Sequence, residues 1–219
     1  MATIETHKKE DYQTIIPELK SQRSYNEEAR NRPLLTTEGF KVITLPRLSF
    51  QRLISDYKRT KNPGNLMREN KNAFIRGESL LGEQGEYSRL AGEGLRSIFE
   101  GWTGFPLIHS HIFGPRIYKR GSYLLNHADR LPLWISGTLT LEKSSPEPWI
   151  ITIEKQGYIF EVDLEPGEML LYEGLSCVHS RPYPLPYEYY VNIYFHYYPK
   201  SMKDELYENE NITPVKSPY

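Results

Sequence analysis

A change of period near Phe105 constrains the fold more than any other feature of the sequence. Beyond it, glycine or proline cuts the chain about every ten residues, and the stretches between alternate in the manner of strands. They read PLIHSHIF, RIYKR, SYLLNHA, LWISGTLTLE, WIITIEK, YIFEVDL, EMLLYEG, SCVHSR and YYVNIYFHYY. Gly121, Gly157, Pro166-Gly167 and the prolines from Pro182 to Pro186 punctuate them. Upstream the period is mainly helical, broken by one predicted strand, GFKVITLP from Gly39 to Pro46. SFQRLISDYKRTK predicts an amphipathic helix with Ser49 as its N-cap. YSRLAGEGLRSIFEGWTG predicts a second, with a stripe through Leu90, Leu95, Ile98 and Phe99 and an end at Gly101 or Gly104. The Asn- and Gly-rich stretch from Asn62 to Gly85 reads as a long surface loop or a lid.

Roughly eight short strands after a helical third predict a mostly β protein with N-terminal helices packed outside one sheet. The architecture expected is a double-stranded β-helix, a jelly roll of cupin-like form. With 219 residues and no convincing linker, one domain is expected over residues 1–207. Its helical part runs from about 9 to 104 and its β core from about 105 to 199. The polar stretch YENENITPVKSPY suggests a disordered tail over 208–219.

Composition narrows the function classes. A net charge of −1 builds no basic stripe, so no nucleic-acid partner is expected. No apolar run approaches the ~20 residues needed to span a bilayer, and the N-terminus lacks the apolar core of a signal peptide. The single Cys177 excludes an intrachain disulfide or a Cys-rich zinc site. A soluble, reducing, cytoplasmic setting is the expectation. The 17 tyrosines suit half-buried strands and also pockets that need polar tips.

The motif that carries chemistry is His127-Ala128-Asp129, followed by His179. Residues two apart on a strand point the same way, so His127 and Asp129 can bind one ion from a strand end. His179, on a later strand, supplies a third ligand. Two imidazoles and one carboxylate on one face of an octahedron leave three positions open, which suits iron(II). With six histidines and 28 acidic residues, an H-x-[DE] match is expected by chance, and surface or core histidines remain the alternative. His109 and His111 form a second pair without a cupin-spaced glutamate, and His196 reads as a strand residue near the barrel rim.

RIYKRGSYLLNHAD and GEMLLYEGLSCVHSRPYPLPYEYYVNIYFHY together resemble the iron(II)/2-oxoglutarate-dependent dioxygenases of the prolyl 4-hydroxylase-like type. Tyr118 stands about nine residues before the first histidine, Gly121 and Tyr123 follow, and Pro166-Gly167 precedes the distal His179. The resemblance covers about Arg116 to Tyr198. It implies iron(II) held by His127, Asp129 and His179, and 2-oxoglutarate as co-substrate, with ascorbate as a reductant. It also implies hydroxylation of a peptidyl, prolyl or free amino-acid or small-molecule substrate, with release of succinate and carbon dioxide. The oligomeric state is not legible.

One departure matters. Such enzymes usually carry an Arg or Lys nine or ten residues after the distal histidine, where this chain has Glu188 and Tyr189. Arg181, two residues past His179 and facing the same way, is the replacement expected to anchor the co-substrate. Asn192 and the Tyr118 phenol are expected to assist. Arg116, Arg120 and Arg130 compete for the role, Arg120 foremost because it shares a face with Tyr118. The plainer alternatives are that Arg181 pairs with Glu173 or Asp129 and that Arg130 orients Asp129. Tyr123, Trp134 and Ser136 are the expected substrate-pocket residues. A cupin-type metalloenzyme without 2-oxoglutarate and a non-catalytic binding barrel are the competing functional classes.

Overall fold

Strand alternation sorts the core before any tertiary detail. In the stretches ISGTLTLEK and YYVNIYFHYYP, alternate positions are apolar and the positions between are hydroxyls, amides and imidazoles. Both faces must therefore be covered, the apolar one by helices and the polar one by a facing sheet. The computed structural model describes residues 2–61, 66–69 and 72–202 and shows this arrangement.

In chain order the elements are β1 (Thr3–Lys8), α1 (Arg23–Asn31), β2 (Phe40–Thr44), α2 (Arg47–Thr60), β3 (Met67–Arg68), β4 (Ile75–Arg76), β5 (Ser79–Leu81) and α3 (Glu86–Thr103). The β core follows with β6 (Leu107–Lys119), β7 (Tyr123–His127), β8 (Ile135–Lys143), β9 (Ile151–Lys155), β10 (Tyr158–Asp163), β11 (Glu168–Glu173), β12 (Val178–Arg181) and β13 (Tyr189–Pro199). One sheet has the order β2-β11-β8-β13-β6-β5-β3 and the other β1-β10-β9-β12-β7-β4. All pairings are antiparallel, and the core strands alternate between the sheets except at β9 and β10, which form a hairpin within one sheet, as a double-stranded β-helix requires.

The largest apolar cluster lies between the first sheet and helices α2 and α3. Leu53, Leu95 and Phe99 meet Ile135, Leu139, Ile193 and Phe195 there. The inner faces of β8 and β13 instead carry Ser136, Thr138, Thr140, Tyr190, Asn192 and His196, all buried. A second cluster, including Tyr118, Leu124, Trp149 and Tyr190, closes one end of the space between the sheets. Burying whole Leu, Ile or Phe side chains contributes about 1.5–3 kcal/mol each, so the helix-facing cluster anchors the barrel.

Several local expectations need correction. α2 begins at Arg47 without a side-chain cap, and Ser49 lies inside its first turn. The backbone starts the helix earlier because the Phe50 N–H already bonds the Pro46 carbonyl. α3 ends at Gly104, whose left-handed φ of +74° closes it, but Leu90 is 62% exposed and Ala91 takes its place in the stripe. The N-terminal third is not helix broken by one strand. β1 is an exposed edge strand lacking an apolar face, and β3, β4 and β5 form within the expected loop; residues 62–65 and 70–71 of that stretch lie outside the described residues. PLIHSHIF and RIYKR are one strand, β6, bulged at Gly114-Pro115 where the register with β13 shifts. The helices do not share one side either, since α1 lies against β12. No helix among the described residues is long and apolar enough to cross a membrane. The expected tail over 208–219 lies outside the described residues.

Candidate metal centre

The two histidines are brought together by strand pairing. β7 and β12 are antiparallel neighbours with His127 opposite His179, and two residues further along β12 Arg181 faces Leu124. Three residues of β7 thus span two of β12. That bulge re-aims β7 so that Leu124 and His127 both line the interior cavity. Asp129 lies past the end of β7. One ligating atom from each of His127, Asp129 and His179 falls within 4.8 Å of the others.

Each ligand is oriented, and by different means. The histidines use their own strands: His127 Nδ1 donates to the Leu125 carbonyl at 2.8 Å, and His179 Nδ1 to the Cys177 carbonyl at 3.0 Å. Nδ1 therefore carries the hydrogen and Nε2 keeps its lone pair for a metal. Burial pulls both imidazole pKa values down, to about 3 for His127, which also feels His179, and to about 4 for His179. Both are neutral ligands at pH 7. Asp129 relies on remote groups. Its N–H donates to the Gly174 carbonyl at 2.8 Å, its carbonyl accepts the Tyr25 hydroxyl at 2.8 Å, and Oδ2 accepts Ser136 Oγ at 2.7 Å. Oδ1 lies 4.0 Å from His179 Nε2. Neutral imidazoles with aimed lone pairs and a carboxylate with one uncommitted oxygen are a donor set that fits iron(II).

These groups open into a cavity of about 650 Å³, with Phe74, Phe113, Arg116, Tyr172, Tyr194 and His196 on its walls. Phe74 stacks on His127 at 4.4 Å, and Tyr172 meets His179 edge-on at 4.6 Å. Arg116 is the buried cation on the wall, and it is already paired: Glu69 accepts from its Nε at 2.7 Å and its Nη2 at 2.6 Å. Arg181 lies deeper, beneath the wall, and is 1% exposed. Its guanidinium sits 4.3 Å from the Trp149 ring and 4.5 Å from the Tyr190 ring, donating to the Trp149 carbonyl and, at 3.0 Å, to the Tyr190 hydroxyl. No carboxylate among the described residues pairs with it, so pairing with Glu173 or Asp129 is excluded. Glu173 instead accepts from Leu35 and Thr36.

The remaining sequence expectations fare unevenly. Tyr118 is fully buried, with its hydroxyl 2.8 Å from that of Tyr194, between the cavity and Arg181's layer. Asn192 is buried and donates to Thr138 Oγ1 at 2.9 Å, and its Oδ1 has no partner among the described residues. Ser136 is not a pocket residue; it holds Asp129. Tyr123 faces away from the cavity, paired in register with Arg76, because of the β7 bulge. Trp134 precedes β8 and packs against the helix-facing cluster. Arg120 is exposed and donates to the Pro186 carbonyl, which removes it as an anchor. Arg130 does not hold Asp129; it donates to Gln22 and lies over the Tyr25 ring at the cavity mouth. His109 and His111 do not form a pair, since His109 packs against Gly92 of α3 and His111 stacks on Phe113.

Sequence reasoning missed the supports contributed from outside the β core. Tyr25 and Asn26 of α1 clamp the segment leading to Asp129; Asn26 Oδ1 accepts from the Ala128 N–H at 3.1 Å, and its Nδ2 donates to the Asn126 carbonyl at 3.2 Å. Nothing in RSYNEEARN signals this. Gly174 was read only as the last residue of the predicted strand EMLLYEG.

No protein-family model and no curated protein sequence matches the chain. Solved structures do. HygX from Streptomyces hygroscopicus, with nickel and 2-oxoglutarate bound, matches over 84% of this chain and 88% of its own, with TM-score 0.56 and 12% identity. A Pseudomonas putida prolyl-4-hydroxylase matches over 79% and 97%, with TM-score 0.52 and 14% identity. A Trichoplax adhaerens prolyl hydroxylase, in complex with a hypoxia inducible factor oxygen degradation domain peptide fragment, matches over 82% and 94%, with TM-score 0.53 and 15% identity. At these identities the likeness fixes the fold: the chain has the jelly roll seen in solved 2-oxoglutarate/iron(II) oxygenases.

Proposed function

We propose that the chain is an iron(II)- and 2-oxoglutarate-dependent oxygenase that hydroxylates an unactivated C–H bond. The convergence of His127, Asp129 and His179 in one cavity carries the reading, because the side chain of each is oriented by a hydrogen bond that leaves a ligating atom free. The fold adds support, since structural neighbours hold a metal and 2-oxoglutarate in the same kind of barrel. Held by His127, Asp129 and His179, iron(II) with 2-oxoglutarate would supply the oxidising chemistry, with succinate and carbon dioxide as its by-products. Ascorbate would serve to keep the metal reduced.

What the chain's own residues contribute is binding and exclusion of water. Phe74, Phe113 and Tyr194 line the cavity beside the ligands and limit solvent there. Arg181 is the proposed anchor for the distal carboxylate of 2-oxoglutarate. A fully buried guanidinium without a counter-ion is costly, and an incoming carboxylate would neutralise it. Tyr118 would help receive that carboxylate through its hydroxyl, with Tyr194 turning aside to admit it. Arg116 already has a carboxylate in Glu69 and lacks that vacancy. Asn192 has an N–H committed to Thr138 and is left out of the anchor.

The substrate is proposed only as a class, a peptide or a small molecule. One neighbour is in complex with a peptide fragment and another with hygromycin B. The test is manganese titration followed by 2-oxoglutarate titration, then succinate formation with iron(II), ascorbate and oxygen. Stoichiometric metal uptake with 2-oxoglutarate binding and slow succinate release is expected. Metal uptake without 2-oxoglutarate binding would favour a cupin-type metalloenzyme instead.

A further inference from the structure

Ser136, on β8, lies beside the Tyr172 hydroxyl and between two further polar groups of the cavity. Its Oγ is 2.7 Å from Asp129 Oδ2 and 2.9 Å from His196 Nδ1. A hydroxyl has one proton. If that proton went to His196, two oxygens bearing lone pairs would face each other at 2.7 Å. It therefore goes to the carboxylate, and the second contact closes only if His196 Nδ1 carries a hydrogen and donates it to Oγ. The network thus runs from His196 Nδ1–H to Ser136 Oγ–H to Asp129 Oδ2, and it assigns the Nδ1–H tautomer to His196.

We propose that Ser136 and His196 are positioning residues for the metal carboxylate, restraining Oδ2 so that Asp129 ligates through Oδ1 alone. The inference rests on the metal reading of the triad. Its weight comes from where Asp129 stands. Unlike the histidines, it lies beyond its strand, and among the described residues no backbone N–H donates to its side chain. Ser136 Oγ is the donor that fixes it. The relay is itself rigidly placed. Ser136 is fully buried, and His196 is 4% exposed on β13, with the Phe113 ring edge-on at 5.2 Å. Gly174 leaves the room it needs: a Cβ there would lie 2.1 Å from Asp129 Oδ2 and 2.8 Å from Ser136 Oγ. The chemical consequence is a count of positions. A carboxylate binding through one oxygen leaves three open sites on an octahedral ion, enough for a bidentate co-substrate and dioxygen together. A carboxylate binding through both oxygens leaves two.

The test uses the full chain with manganese(II) and cobalt(II) alone, so neither substrate nor turnover is needed. Ser136→Ala and His196→Phe should each weaken manganese binding roughly 10- to 100-fold, the usual effect of removing a partner that orients a ligand. Both should also change the cobalt(II) absorption spectrum, which reports coordination number. His196→Asn keeps an N–H near the Nδ1 position and should restore both readouts. A purely structural role would lower the melting temperature and leave the cobalt spectrum of the folded protein unchanged. Unaltered affinity and spectrum in folded Ser136→Ala would overturn the relay alone. Should that variant not fold, equal behaviour of His196→Phe and His196→Asn would overturn it. Failure of the unmodified protein to bind manganese would overturn the triad, and the relay with it.

Discussion

Gly174→Ala tests the site through a single methyl group. The added Cβ would sit 2.1 Å from Asp129 Oδ2, 2.9 Å from Asp129 Cβ and 2.8 Å from Ser136 Oγ. Ordinary carbon–oxygen contact needs more than 3 Å, so the carboxylate must retreat by about 1 Å. It cannot do so as a unit. The Asp129 N–H is bonded to the Gly174 carbonyl, and the Asp129 carbonyl to the Tyr25 hydroxyl. The side chain must rotate instead, breaking the Ser136 bond and withdrawing Oδ1 from the histidines. Metal–ligand distances tolerate only about ±0.2 Å, and a misplacement of ~1 Å costs on the order of a hundredfold. Manganese affinity should therefore fall at least about 100-fold by calorimetry. The overpacking itself should cost about 1–3 kcal/mol, lowering the melting temperature by roughly 2–4 °C per kcal/mol. Gly94→Ala in α3 is the control, since nothing lies within 4 Å of its added Cβ. It should leave metal binding alone and stabilise slightly. Native-like manganese affinity in folded Gly174→Ala would refute the placement of Asp129 as a ligand.

Four further outcomes are expected. His127→Ala and His179→Ala should each abolish tight manganese binding while leaving the circular dichroism melt nearly unchanged; wild-type affinity in either would remove the triad. Arg181→Met should keep metal affinity and thermal stability but weaken 2-oxoglutarate binding about 100-fold, for ~3 kcal/mol of charge-assisted pairing lost; if Arg116→Met alone shows that loss, the anchor is Arg116. Asn26→Ala should cost about 1–3 kcal/mol by leaving the buried Ala128 N–H without its acceptor, and manganese binding should weaken with it; calorimetric melts of the two proteins decide this. In metal-free protein, burial lowers His127, His179 and His196 to about 3, 4 and 4 from 6.5. Between about pH 6.5 and 3 the unfolded chain binds more protons, so urea-unfolding stability should fall as pH falls through that window; stability that rises from pH 7 to pH 5 would contradict the buried, neutral assignment.

Much of the barrel was legible because the signal is local. Each core strand is a short run between glycines or prolines, and alternation within β8 and β13 states which face meets the helices. His127 and His179 were legible as inward residues for the same reason. The failures come from where alternation is interrupted. Counting by twos from His127 puts Tyr123 inside, but the β7 bulge inserts a residue and substitutes Leu124. Counting back from Ser136 puts Trp134 inside, but β8 begins at Ile135, and Trp134, just ahead of it, packs against the helix-facing cluster. β1 was invisible because its residues are polar on both faces and Ile4 is 47% exposed; pairing with β10, not burial, makes it a strand. The Glu69–Arg116 pair joins residues 47 apart, and no short-range pattern encodes it.

The three ligands differ in how far the chain must reach to place them, and that difference organises the site. Each histidine is aimed by a carbonyl two residues earlier, so forming the strand nearly suffices to orient the ring. Asp129 depends on α1 through Tyr25 and Asn26, on the turn after β11 through Gly174, and on β8 and β13 through Ser136 and His196. These contacts span sequence separations from 7 to about 100 residues. Those from Tyr25 and Asn26 can form only when the N-terminal third has docked on the barrel. The carboxylate is therefore the ligand whose position reports the state of the whole fold. Partial unfolding of α1 would disturb it first and leave two aligned imidazoles, too few to hold a labile divalent ion tightly. The N-terminal third thus acts in the proposed chemistry by completing the third arm of the metal site.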